Sequence, residues 1–160
     1  MDAQRSPLQW HSYTLLQCHF EIAEPTEDAP VVPLELFAEL PIAVDFVHKK
    51  LDDGNWQVFT KVEVNWKKPA LTGYRIYVEC VGLFHLEGEQ DMAPEKRKNL
   101  LFYSTVNMLL NRMRGQIADL SGSSALGPFI LPALDISALF RQKAEQIKVV
   151  KAAKEPKPKA

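Results

Sequence analysis

The side chains able to do chemistry are few and scattered. Four histidines, His11, His19, His48 and His85, are spread over three separate segments of alternating polarity. His19 and Glu21 share one strand face, where a solvated polar surface accounts for both. Cys18 and Cys80 sit among apolar neighbours. They are too far apart for a metal knuckle and too few for a disulfide framework, so they read as small buried hydrophobes. Gly122-Ser123-Ser124 carries hydroxyls, but nothing marks a paired base, and Gly and Ser are ordinary linker residues. There is no phosphate-cradling glycine loop, no nucleophile elbow and no closely spaced set of His, Cys and acids suited to a metal. The expectation is a protein that binds, is not an enzyme and needs no cofactor.

What the chain has in abundance is apolar surface, and its pattern predicts the elements that carry it. Leu16, Cys18, Phe20 and Ile22 alternate with Gln17, His19 and Glu21, a half-buried strand. A connector rich in Pro and acids follows, Pro25 to Pro33. Leu34, Leu36, Leu40, Ile42, Val44 and Phe46 continue the alternation opposite Glu35, Glu39 and Asp45, with Pro41 marking a bulge or an edge. Asp52-Asp53-Gly54-Asn55 is a turn. Beyond it Trp56, Val58, Val62, Val64 and Trp66 form a third strand. After a turn from Lys68-Pro69 to Gly73, the fourth carries Tyr74, Ile76, Val78, Cys80, Phe84 and Leu86. Short turns predict an antiparallel meander with one strongly apolar face, which needs a cover.

Two helices supply it. Asp91-Met92-Ala93-Pro94 offers a cap and an early Pro, and Leu101, Val106, Leu109, Met113, Ile117 and Leu120 recur at helical spacing. Leu100, Phe102 and Leu110 widen that stripe beyond the usual arc. Ser121 to Pro128 is a loop, and Asp135 is a good N-cap for a last helix carrying Ile136, Phe140, Ala144 and Ile147. The fold class is therefore α+β: a four-stranded antiparallel sheet followed by two helices packed on one face. Leu109, Leu110 and Met113 are more apolar groups than one sheet should need, which points to an oligomer interface.

Composition sets the outer bounds. In 160 residues, Lys+Arg 19 against Asp+Glu 20 gives a net charge of −1, which argues against a nucleic-acid binder. No apolar run reaches the ~20 residues of a membrane span, and the N-terminus lacks a basic region followed by an apolar one. A cytoplasmic protein is expected. Seven basic and two acidic residues lie between Arg141 and Ala160. Residues 1–148 read as one domain and 149–160 as a basic disordered tail.

Four stretches resemble the SecB export chaperone family. Val78 to Gly88 resembles that family's V-x-x-x-G-[IL]-F-x-[IL]-x-G at the end of its last strand. Asn99-Leu100-Leu101-Phe102-Tyr103 resembles the N-I-L-F-P that opens its first long helix, with Tyr103 in place of Pro. Leu131 to Phe140 resembles L-x-P-V-N-F-D-A-L-F before its last helix, and Tyr13 with Phe20-Glu21 resembles its first strand. The likeness spans roughly residues 10–145.

The resemblance implies a homotetramer, a dimer of dimers, and an ATP-independent holdase that binds non-native polypeptides in apolar grooves. Carried over by position, the client groove comprises Ile42, Val44, Phe46, Tyr74, Ile76 and Phe140. Glu21 matches an acid that contacts the translocase motor SecA, whereas Gln17 and Tyr77 stand where the family has acids. The family's C-terminus is acidic and this one is Lys-rich. Delivery to SecA is thereby weakened, and protection of an antitoxin is a second role open to a SecB-like chain. The residues alone also leave open a carrier of a small apolar ligand, or an adaptor using the same surface.

Overall fold

The computed structural model describes residues 2–23, 39–67 and 70–154, and in it four strands pair into one antiparallel sheet. They are β1 (Leu8–Ala23), β2 (Ile42–Lys50), β3 (Trp56–Val64) and β4 (Gly73–Leu86). The order across the sheet is β1-β4-β3-β2. The expected meander is thus confined to β2, β3 and β4, and β1 docks on the far side of β4. The connection from β1 to β2 is long enough to cross the intervening strands, which lie ~4.8 Å apart. Leu34, Leu36 and Lys68-Pro69, expected in the second strand and the third turn, lie outside the described residues.

The ends of both connections follow from their residues. Gly54 takes φ 83°, and Asp53 Oδ1 accepts the Asn55 N–H at 2.9 Å. The next turn is held by Asn65, which is buried at φ 52°. Its amide donates to the carbonyls of Leu71 and Tyr74 at 2.7 and 3.1 Å, and its Oδ1 accepts the Leu71 N–H at 2.9 Å. Asn tolerates this left-handed backbone and replaces the missing ladder bonds with its own side chain.

β4 keeps its alternation throughout, and every one of its expected core residues is buried. β1 does not. Irregularities between Trp10 and Ser12 and between Leu15 and Gln17 reset its parity. The face that β1 shares with the core is therefore Leu8, Trp10, Tyr13, Leu15, Cys18, Phe20 and Ile22, by pairing with buried residues of β4. Little of that face is covered: Cys18, Leu15 and Ile22 are exposed, the last two at 39% and 41%.

The cover is one continuous helical run made of α1 (Pro94–Lys98), a π-helical segment (Asn99–Ser104) and α2 (Thr105–Gly122). Pro94 opens it, and Asp91 ends a short 3-10 turn instead of capping it. Asp135 does cap α3 (Ile136–Lys154), its Oδ1 accepting the Ala138 N–H at 2.9 Å. α3 continues past residue 148, where the tail was expected to begin, and 155–160 lie outside the described residues.

α2 lies over β3 and β4. Leu109, Leu110 and Met113 are 0%, 2% and 0% exposed in the single chain. The expectation that they face a second copy is therefore corrected: this chain's own core takes all three. The close approach of helix to sheet depends on Gly82. A Cβ there would sit 2.6 Å from the Phe84 ring and 2.8 Å from Leu109 Cδ2. Both neighbours are fully buried, so neither can swing clear. Gly82→Ala should cost about 1–3 kcal/mol by overpacking. At roughly 2–4 °C per kcal/mol for a chain of this size, thermal melting should fall by several degrees.

Candidate functional site

β2 is an edge strand, and α2 stands over its inner neighbours. The residues over β2 belong to α3 and to the π-helical segment. Phe140 of α3 packs on Phe46 of β2 with ring centroids 4.5 Å apart, and on Tyr103 at 4.6 Å. Lys143 Nζ donates to Asp45 Oδ1 across the strand edge. Beside these contacts lies an open cavity of about 410 Å³. Its walls are Phe46, Val47 and His48 from β2, Phe102 from the π-helical segment, and Phe140, Lys143, Ala144 and Ile147 from α3. A second depression, about 220 Å³, lies on the opposite sheet face, where Asp45, Lys61 and Glu79 make its lining charged. The first is the candidate site, because it combines size with apolar walls.

Local sequence explains how the walls are set. Alternation on β2 sends Phe46 and His48 to the same face, and both rings reach the helices. His48 lies 4.8 Å from Phe102, 6.0 Å from Phe46 and 6.3 Å from Phe140. Trp56, on the neighbouring strand, reaches Phe102 at 6.1 Å, and its indole N–H donates to Glu89 at 3.3 Å. The π-helical segment widens the helix where Phe102 must turn toward the groove, a common place for such a bulge. Thr105 closes that segment by donating its hydroxyl hydrogen to the Leu101 carbonyl at 2.5 Å.

That bond fixes the chemistry of His48. His48 Nε2 is 3.1 Å from Thr105 Oγ1. The threonine hydrogen is already committed to a carbonyl, which only accepts, so the imidazole must be the donor. The hydrogen of this contact is therefore on Nε2, and in the neutral ring the lone pair is on Nδ1. Burial pushes its pKa down to about 4, and the nearby Leu101 and Phe102 carbonyls offset this only in part.

Of the residues assigned to the groove from sequence, Phe46 and Phe140 line the cavity. Ile42 and Val44 are half-buried on the same face of β2 and pack against the core. Tyr74 and Ile76 do not belong there. They are 1% and 0% exposed, and Tyr74 is sealed in by Phe129 and by the Gly127 carbonyl, which accepts its hydroxyl hydrogen. Being on the apolar face of a central strand puts them under the cover, not beside it. Sequence reasoning missed His48, Phe102, Lys143 and Ile147. The available signals were a polar residue at an apolar position of β2 and the overly wide stripe of the first helix. Glu21 lies on the outer sheet face in an ion pair with Arg75 at 2.5 Å. Tyr77 is on that face too, its hydroxyl donating to Glu79 at 2.8 Å. Among the described residues no three His, Cys, Asp or Glu gather to hold a metal, and no helix is long and apolar enough to cross a membrane.

The family described as preprotein translocase subunit SecB matches residues 27–147. Among solved structures, the fold is similar to a Mycobacterium tuberculosis SecB-like chaperone in complex with a ChAD peptide from the HigA1 antitoxin. That match has 19% identity, covers 80% of this chain and 91% of the other, and gives a TM-score of 0.51. A protein of unknown function from Streptococcus agalactiae is similar at 10% identity, with 79% and 97% covered and a TM-score of 0.46. No curated protein matches.

The half-buried imidazole makes stability depend on pH. Unfolded, His48 protonates near its ordinary 6.5; folded, it resists protonation down to about 4. Its contribution is fully present above pH 6.5 and is lost as pH falls toward 4, because the unfolded chain then binds the extra proton. Denaturant unfolding at pH 7 and pH 4.5 should differ by about 2 kcal/mol more in the wild type than in His48→Phe. Equal pH dependence in the two proteins would show that His48 is not held neutral.

Proposed function

Because the chain belongs to the SecB family, whose members are non-enzymatic chaperones, we propose that it is an ATP-independent cytoplasmic holdase. Its clients are non-native polypeptides, bound as extended segments in the groove between β2 and α3. The observation that carries this reading is the 410 Å³ cavity, which opens beside a strand edge and is walled by Phe46, Phe102, Phe140 and Ile147. An unfolded client exposes apolar side chains and unpaired backbone together, and such a groove accommodates both. The M. tuberculosis chaperone, solved with an antitoxin peptide, supports a polypeptide as the occupant.

The outer face bears on which clients are served. By the resemblance, Glu21 matches a family acid but is paired with Arg75, and Gln17 and Tyr77 stand where the family has acids. This favours a dedicated client such as an antitoxin over general delivery to SecA, and export through SecA is the second role. The proposed assembly is a homotetramer. Supporting it is the uncovered apolar face of β1, which runs along a 16-residue edge strand with Trp10, Leu15 and Ile22 36–41% exposed. Such an edge invites pairing with a second copy.

Two experiments test these readings. Ile147, 47% exposed on the groove wall, is not needed by the core. Ile147→Asp should leave melting within about 2 °C yet reduce suppression of aggregation of an unfolded model protein at least tenfold, since a client would bury the charge. Full protection by the variant would remove the groove from the mechanism. For assembly, Leu15→Glu should lower the mass seen by size exclusion with light scattering while keeping the native circular dichroism. An unchanged tetramer would place the contact elsewhere.

A further inference from the structure

His48 is the groove's one neutral polar side chain, and the other polar group, Lys143, already gives its ammonium to Asp45. With the Nε2 hydrogen directed at Thr105, Nδ1 presents a lone pair, and the backbone groups drawn to the ring, the Leu101 and Phe102 carbonyls, only accept, so they leave that lone pair without a donor. Its surroundings are the rings of Phe46, Phe102 and Phe140. The cavity, about 410 Å³, is far larger than the ~30 Å³ share of one water, so it has room for a side chain. Resting on the holdase reading above, we propose that His48 is a specificity-determining residue that makes the groove prefer a client aromatic carrying a ring hydrogen-bond donor, the phenol of tyrosine or the indole of tryptophan, over phenylalanine.

The physical argument is one of asymmetry. In the open groove, water can hydrate Nδ1. A phenylalanine that enters displaces that water and gives the acceptor nothing in return. A tyrosine or tryptophan fills the same aromatic walls and restores the bond. A site built around a polar partner discriminates chiefly against the ligand that leaves the partner unpaired. Burial keeps the imidazole from protonating at neutral pH, so the acceptor persists there. The three rings around it favour an aromatic occupant over an aliphatic one through edge and offset contacts.

Fluorescence anisotropy with two labelled peptides that differ by one hydroxyl tests this directly: acetyl-Leu-Ser-Val-Tyr-Val-Ser-Leu-amide and its counterpart with Phe for Tyr. A second pair carries tryptophan or benzothienylalanine, which has the same shape without the N–H. The wild type should bind each donor peptide about tenfold more tightly, or about 1.4 kcal/mol. His48→Phe should bind both members of a pair equally. Thr105→Val, which frees the imidazole to move its hydrogen to Nδ1, should shrink the preference, and nitrogen NMR of the wild type should show hydrogen on Nε2. Equal wild-type affinities, or a preference that survives in His48→Phe, would overturn the proposal while leaving the groove intact. Affinities for both peptides that ignore Ile147→Asp would overturn the groove reading and this one with it.

Discussion

One helix cannot cover four strands, and most of this structure follows from that mismatch. Strands spaced ~4.8 Å apart make a sheet well over 14 Å wide, whereas a helix with its side chains is ~10–12 Å across. α2 is seated over β3 and β4, where Gly82 lets Leu109 approach the backbone. That placement seals the centre and leaves an apolar margin on each side. The β1 margin stays open, with Leu15 and Ile22 exposed although they share a face with buried residues of β4. The β2 margin is roofed by α3 only in part, and the unroofed portion is the groove. The two surfaces available for binding are thus remainders of a single packing decision.

The sequence revealed what depends on local rules. The period-2 series from Tyr74 to Leu86, the Asp53-Gly54-Asn55 turn and the Asp135 cap all appear as expected, because each is decided by residues within a few positions of one another. The strand order was not legible. Nothing local tells β1 that it will pair with β4, since that choice rests on a long connection and on which edge buries more surface. The bulges in β1 were hidden for the same reason: Leu16 reads as part of an even apolar series until pairing shows that the parity changes at Leu15. Tyr74 and Ile76 were assigned to the groove by position. A pattern can place a side chain on the apolar face, but only the location of α2 decides whether that face is sealed or open. Leu109, Leu110 and Met113 read as surplus in the sequence for the opposite reason: a sheet of four strands takes more apolar cover than one helical stripe suggests.

His48 shows why one polar residue on an apolar strand face was the more informative signal. Placing an imidazole among Phe46, Phe102 and Phe140 costs solvation, and the fold offsets that with one hydrogen bond to Thr105. The bond is available because Thr105 closes the π-helical segment, and that segment is also what carries Phe102 into the groove. Wall shape and imidazole tautomer are therefore set by the same irregularity in the helix. A regular α-helix through residues 99–104 would change both at once.

The roof of the groove is held much more lightly than its floor. Phe46 is part of the buried core, and its ladder partner Thr60 is fully enclosed. α3, by contrast, is joined to β2 through the Phe140 ring and the Lys143–Asp45 pair, whose side chains are 26% and 48% exposed. Ion pairs this exposed contribute little, typically under about 1 kcal/mol. Elements with few buried contacts open at lower free energy than the core that supports them. A rigid strand floor and a lightly held helical wall suit a site that must admit extended segments of differing bulk. The floor keeps the hydrogen-bonding edge and the imidazole in place, and the wall adjusts to the side chain that arrives. Because Gly82 lies on β4, with β3 between it and the groove strand, that adjustment need not disturb the close approach of α2 to the sheet.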